Sequence, residues 1–114
     1  MARSADPPAP APAPAPALTE PQRRFLRGRA HALKPVVLLG NAGLTPAVEA
    51  EVRHALGTHE LIKVRIPGQD RAVRDRLFDA LADATGSALV QRIGNVAVYY
   101  RPRAELPQIL IPDA

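Results

Sequence analysis

The sequence predicts a small α/β domain in the order α-β-α-β-α-β-β, built on a four-stranded mixed sheet. Three observations carry this prediction. Amphipathic stretches of helical period alternate with short apolar runs from residue 18 to residue 102. Whole helices separate the first three runs, as crossovers in an α/β sheet do, whereas only Gly94-Asn95, a hairpin dipeptide, separates the last two. The chain has 114 residues, 46% hydrophobic and 23% charged, which suits one core and one domain.

Residues 7–17 alternate proline and alanine. Proline fixes φ and removes N–H donors, so residues 1–17 read as an extended tail without a core. The first helix is expected over 19–32. Thr19 and Gln22 stand at capping-box spacing, and Pro21 fits the first turn. Leu26, Ala30 and Leu33 share one face, leaving Arg23, Arg24, Arg27 and Lys34 on the other. Pro35 ends the helix. Residues 36–39, Val-Val-Leu-Leu, read as a buried strand.

Gly40-Asn41-Ala42-Gly43 stops that strand, and Thr45-Pro46 opens a second helix, expected over 46–56 and closed by Gly57. Residues 61–66 alternate, with Ile62, Val64 and Ile66 toward a core and Lys63 and Arg65 away from it. Asp70 caps a third helix over 71–84, with Val73, Leu77, Leu81 and Ala84 inward. Strands over 88–93 and 96–101 complete the domain. If both crossovers step the same way, the second and third helices share one sheet face, and Lys63, Arg65, Arg92 and Arg101 line the other. Residues 104–114 show little periodicity and read as a C-terminal tail.

The chain lacks cysteine, which removes disulfides, thiolate metal sites and a cysteine nucleophile, and fits a reducing compartment. No apolar run reaches the ~18 residues of a membrane span. Asp6-Pro7-Pro8 stands where a secretory signal needs leucines, so a cytoplasmic protein is expected. The net charge is +4, and the excess is local: between residues 19 and 44, Arg23, Arg24, Arg27, Arg29 and Lys34 face only Glu20. Clustered cations are the footprint of a phosphate-rich partner.

The junction at 39–46, strand then Gly-x-x-Gly then helix, is the strongest chemical feature. Two glycines let backbone N–H groups approach a phosphate, and a helix N-terminus adds its dipole. The spacing is too short for a Walker loop, and no Lys-Ser/Thr follows. His31, His54 and His59 form no paired-ligand motif on a helix face. Asp75, Asp79 and Asp83 interleave with Arg71, Arg74 and Arg76, which reads as surface pairing. Ser4 and Ser87 have no visible base. No catalytic constellation emerges, and no cofactor or metal is expected. Tyr99 and Tyr100 point to opposite faces of a strand, so a platform for stacking several bases is not expected.

Leu33 to Thr45, His59 to Ile66, and Ile93 to Asn95 continuing to Tyr100-Arg101-Pro102 together resemble the bacterial YhbY family, the stand-alone form of the CRM (chloroplast RNA splicing and ribosome maturation) domain. The resemblance covers residues 18–103. It implies a compact domain similar to the C-terminal domain of translation initiation factor three. It also implies a non-catalytic RNA-binding protein associated with ribosomal RNA precursor in large-subunit precursor particles. The family's loop maps to Gly40, Asn41, Ala42 and Gly43, and its basic helix to Arg23, Arg24, Arg27 and Lys34. Lys63, Arg65 and Arg101 join these as candidate RNA contacts. Some members carry a lysine inside the loop; Asn41-Ala42 here shifts weight to the flanking cations. A monomer is expected. The alternatives are an adaptor that uses the proline-rich tail, and a nucleotide-binding enzyme that uses the loop.

Overall fold

The computed structural model describes residues 15–103, 107 and 109–112. Most of the Ala/Pro tail, and residues 104–106, 108 and 113–114 of the C-terminal tail, lie outside the described residues. The elements are α1 (Glu20–Ala30), β1 (Pro35–Leu38), α2 (Pro46–His59), β2 (Leu61–Arg65), α3 (Arg71–Thr85), β3 (Ala88–Ile93) and β4 (Val96–Tyr100). The order is the expected one. The sheet runs β1-β2-β4-β3, with β1 parallel to β2 and both other pairs antiparallel.

Each helix start is fixed by the residue that the sequence marks for it. Thr19 and Gln22 form a reciprocal capping box on α1, Thr45 caps Val48 N–H of α2, and Asp70 caps Val73 N–H of α3. The second helix ends later than expected. Gly57 stays inside it, and the chain turns instead at Glu60, whose φ is +65°. A non-glycine residue in this region is strained and persists only where its surroundings over-determine it. Here the fully buried carboxylate accepts hydrogen bonds from Arg103 N–H at 2.7 Å and Ile109 N–H at 2.8 Å.

The two faces of the sheet are covered unequally. α2 and α3 pack on one, where Val52, Leu56, Phe78 and Leu81 meet Val37, Leu39, Ile62, Val64, Ile66, Ala97 and Tyr99. Phe78 and Thr85, rather than Val73 and Ala84, complete the buried stripe of α3. Tyr99 spans this core and donates its hydroxyl to the Phe78 carbonyl at 2.7 Å; burial holds its pKa far above the tyrosine range. α1 covers part of the other face. Leu26 and Ala30 pack there with Leu61, Val90, Val98 and Tyr100.

Three further expectations need correction. β1 is an edge strand, not a buried one: Val37 is buried, whereas Val36 and Leu38 are exposed because α1 packs over β2, β3 and β4. The C-terminal segment is no free tail, since Ile109 and Ile111 join the α1 core and Pro112 accepts a hydrogen bond from the Gln22 amide. Arg92 does not face away from α3. It pairs with Asp75 and Asp79 of that helix at 3.4 and 2.9 Å, because the irregularity between Leu89 and Gln91 resets the alternation of β3.

Candidate nucleic-acid interface

The uncovered part of the α1 face follows from strand register. Leu38 pairs with Arg65, Arg65 with Val96, and Val96 with Ile93, so one row crosses all four strands. Helix cover is missing along much of this row: Leu38 is 58% and Ile93 64% exposed, and Arg65 is exposed. Beside the row, α1 and the sheet enclose a groove of 800 Å³, lined by Arg24, Arg27, His31, Lys63, Gln91 and Ile93 among others. Gly40 to Gly43 follow β1 after one intervening residue, Leu39.

The candidate residues fall into three groups. Arg24 and Arg65 are exposed and have no ion pair or side-chain hydrogen bond among the described residues. Arg27 lines the groove with a surface pair to Glu20 at 3.3 Å, a contact worth little in water. Lys63 also lines the groove, its ammonium donating to the Leu33 carbonyl at 2.8 Å. These four side chains lie on the α1 side of the sheet; the loop leaves the end of β1 at its edge, with Gly43 next to Leu77 of α3.

Arg23 and Arg101 are engaged elsewhere. Arg23 donates to the carbonyls of Leu89 and Val90 at 2.7 and 3.1 Å, which fastens α1 to the irregular stretch of β3. Arg101 donates to the carbonyls of Thr85 and Arg53, at the opposite end of β4 from Val96. Lys34 is exposed and lines a separate cleft beyond the end of α1. His31 and Gln91, which the candidate set omits, line the groove. The signal for His31 was its position one turn after Arg27; nothing in the sequence alone placed Gln91 there.

The loop is a tight turn in which Gly43 N–H donates to the Gly40 carbonyl at 3.0 Å. Gly43 is buried with φ +74°, a backbone that side chains rarely adopt. Gly40 has no such constraint, and a Cβ there would meet nothing within 4 Å. Asn41 and Ala42 form the exposed tip, and their N–H groups make no hydrogen bond among the described residues. The α2 N-terminus is partly spent on its own cap: Pro46 has no N–H, and Val48 N–H goes to Thr45 Oγ1. Anion-binding capacity therefore sits at the tip of the loop more than at the helix end.

None of the four aromatic rings supplies a base platform. Phe78, Tyr99 and Tyr100 are buried, and Phe25 packs against the α1 core. Burial, with the Glu60 carboxylate nearby, also raises the Tyr100 pKa. Among the described residues no three of His, Cys, Asp and Glu gather as a metal site, and no helix is long and apolar enough to cross a membrane.

Comparison with known proteins decides the family, because the CRS1/YhbY (CRM) domain model matches residues 18–101. The chain belongs to the CRM family. It is 48% identical over 88 residues to a Haemophilus influenzae protein named "RNA-binding protein", spanning 77% of this chain and 89% of that one. It is 37% identical to the Bacillus subtilis "Probable RNA-binding protein YqeI" over 83% of this chain and 99% of the other. The solution structure of SAV1595 from Staphylococcus aureus superposes with a TM-score of 0.73 at 34% identity, covering 84% of this chain and all of that one. The SAV1595 structure shares the compact domain of three helices and a four-stranded mixed sheet.

Proposed function

We propose that this chain is a non-catalytic, monomeric RNA-binding protein of the cytoplasm that assists assembly of the large ribosomal subunit by holding ribosomal RNA precursor. The observation that carries the reading is the open sheet face, where Arg24, Arg27, Lys63 and Arg65 converge beside a glycine loop with free N–H groups at its tip. Cations spaced over a surface match a polyanion better than a single small anion. With no aromatic platform, affinity comes from phosphate contacts, and the aliphatic Leu38, Val96 and Ile93 meet ribose and base edges. The family and the relatives' names support RNA as the partner class.

Crosslinking in cells, followed by sequencing of the bound RNA, tests this. The expected result is enrichment of large-subunit ribosomal RNA precursor over other transcripts. Its loss is expected when Arg24, Arg27 and Arg65 are replaced by glutamate. Recovery of a random transcript sample, unchanged in that variant, overturns the reading.

A further inference from the structure

The end of α1 separates two concavities, and only one belongs to the interface above. The other is a cleft of 440 Å³ between the end of α1, the start of β1 and the C-terminal segment. That volume lies within the ~300–1,000 Å³ of sites that hold small organic groups. Its floor is aliphatic, with Val36, Leu61 and Ile109, and its rim carries Arg29, Lys34 and His59. None of these three polar side chains has a partner among the described residues. No described acid lines the cleft. Glu60, next to His59 in sequence, spends its carboxylate oxygens on the N–H groups of Arg103 and Ile109.

A cationic rim over an apolar floor selects an anion attached to an apolar body. Free phosphate leaves the floor unused, and an apolar peptide leaves the three rim groups unmatched. A nucleotide has both parts, and a base can pack between aliphatic side chains as well as aromatic ones. The cleft also adjoins the interface. Leu61 lines the cleft and Lys63, two residues along the same strand face, lines the groove; Lys63 donates to the carbonyl of Leu33, itself a cleft residue.

We propose that this cleft seats one unpaired nucleotide of the bound RNA, its base on Val36, Leu61 and Ile109 and its phosphate at Arg29, Lys34 and His59. The proposal rests on the RNA-binding reading and sharpens it. The preferred RNA then carries a bulge or an end beside a structured stretch, because a base that is already unpaired enters without the cost of opening a pair.

The test uses the full chain in two arms. In the first, adenosine 3′-monophosphate is titrated while the NMR signals of Val36, Leu61 and Ile109 are followed. All three should shift, and the shifts should vanish in an Arg29→Gln/Val36→Glu double variant. Both positions are exposed, so that variant should keep the parent's circular dichroism and Tm. Inorganic phosphate should leave the floor signals in place; equal shifts with phosphate alone overturn the nucleotide assignment. In the second arm, a hairpin with a one-nucleotide bulge should bind roughly tenfold tighter than the fully paired hairpin, and the double variant should lose that preference. Absent floor shifts, or equal affinity for the two hairpins, overturn the cleft assignment while leaving RNA binding intact. If the mononucleotide seats but neither hairpin binds, the RNA-binding reading falls, and the assignment of the cleft to RNA falls with it.

Discussion

The two faces of the sheet are built from the same strands and do opposite work. On the α2/α3 face every inward position finds a partner: Phe78, Leu81 and Tyr99 are wholly buried, and the Tyr99 hydroxyl is satisfied. On the α1 face one short helix and the C-terminal segment cover only part of the area. Leu38, Arg65, Val96 and Ile93 are left as an uncovered or half-covered row, with cations beside them. The closed face carries the stability, and the open face has surface to spare for a partner. The contrast teaches that apolar residues in this chain do not all serve folding: Leu38 and Leu39 are neighbours, yet only Leu39 belongs to the core.

The largest expected effect comes from truncating one side chain on each face. Phe78→Ala should cost ~3–5 kcal/mol, the usual loss for a buried ring that leaves a cavity. Leu38→Ala, on the open face, should change stability by no more than ~0.5 kcal/mol. RNA affinity should respond the other way, unchanged for the Phe78 variant under folding conditions and weakened for the Leu38 variant. Urea unfolding with RNA titration reads both. A Leu38 variant as unstable as the Phe78 variant would erase the distinction between the faces.

Arg23 and Arg24 sharpen the comparison, since adjacent residues on one helix serve different ends. Arg23→Ala strips a charged donor from two carbonyls of β3 and should cost ~1–3 kcal/mol. The slope of log affinity against log salt should barely change. Arg24→Ala should leave stability within ~0.5 kcal/mol. It should lower the salt slope by roughly one, as losing one phosphate contact does. Equal salt slopes in the two variants would remove Arg24 from the interface.

The fold was legible because local signals and tertiary packing agree. Capping residues mark each helix start, Gly94-Asn95 marks the hairpin, and the alternation of residues 61–66 matches the observed facing of β2. Misreadings occurred where the deciding partner is distant in sequence. The run Val36 to Leu39 looks buried until strand order places it at an edge. Arg23 and Arg24 look alike until β3 supplies acceptors to one of them. Gly57 resembles a helix stop, but the stop is set three residues later by a buried carboxylate whose partners are 43 and 49 residues away. The cluster of cations was visible as composition; which of them face solvent together depends on register and could not be read from spacing.

The smallest effect separates the glycine loop as a turn from the loop as a contact. Gly43 is required by the turn itself: at φ +74° a side chain is strained, so Gly43→Ala should cost ~1–2 kcal/mol whatever the loop does. Gly40 carries no such requirement, because its φ is ordinary and open space surrounds the position of its Cβ. Gly40→Ala should therefore be neutral or mildly stabilising, by up to ~1 kcal/mol through a less flexible unfolded chain. If phosphate approaches the backbone here, the added methyl should nonetheless weaken RNA binding. An Asn41→Asp/Ala42→Asp variant should weaken it further, since each carboxylate stands where the free N–H groups of the tip would meet the phosphate. The acids themselves should not destabilise the fold, lying near the start of α2 where negative charge is favoured. Calorimetry and RNA titration on these three variants give one pattern if the loop is a contact: stability lost only at Gly43, and affinity lost at Gly40 and at the tip. Full affinity in both the Gly40 and the tip variants would reduce the loop to a turn and leave the open sheet face as the whole interface.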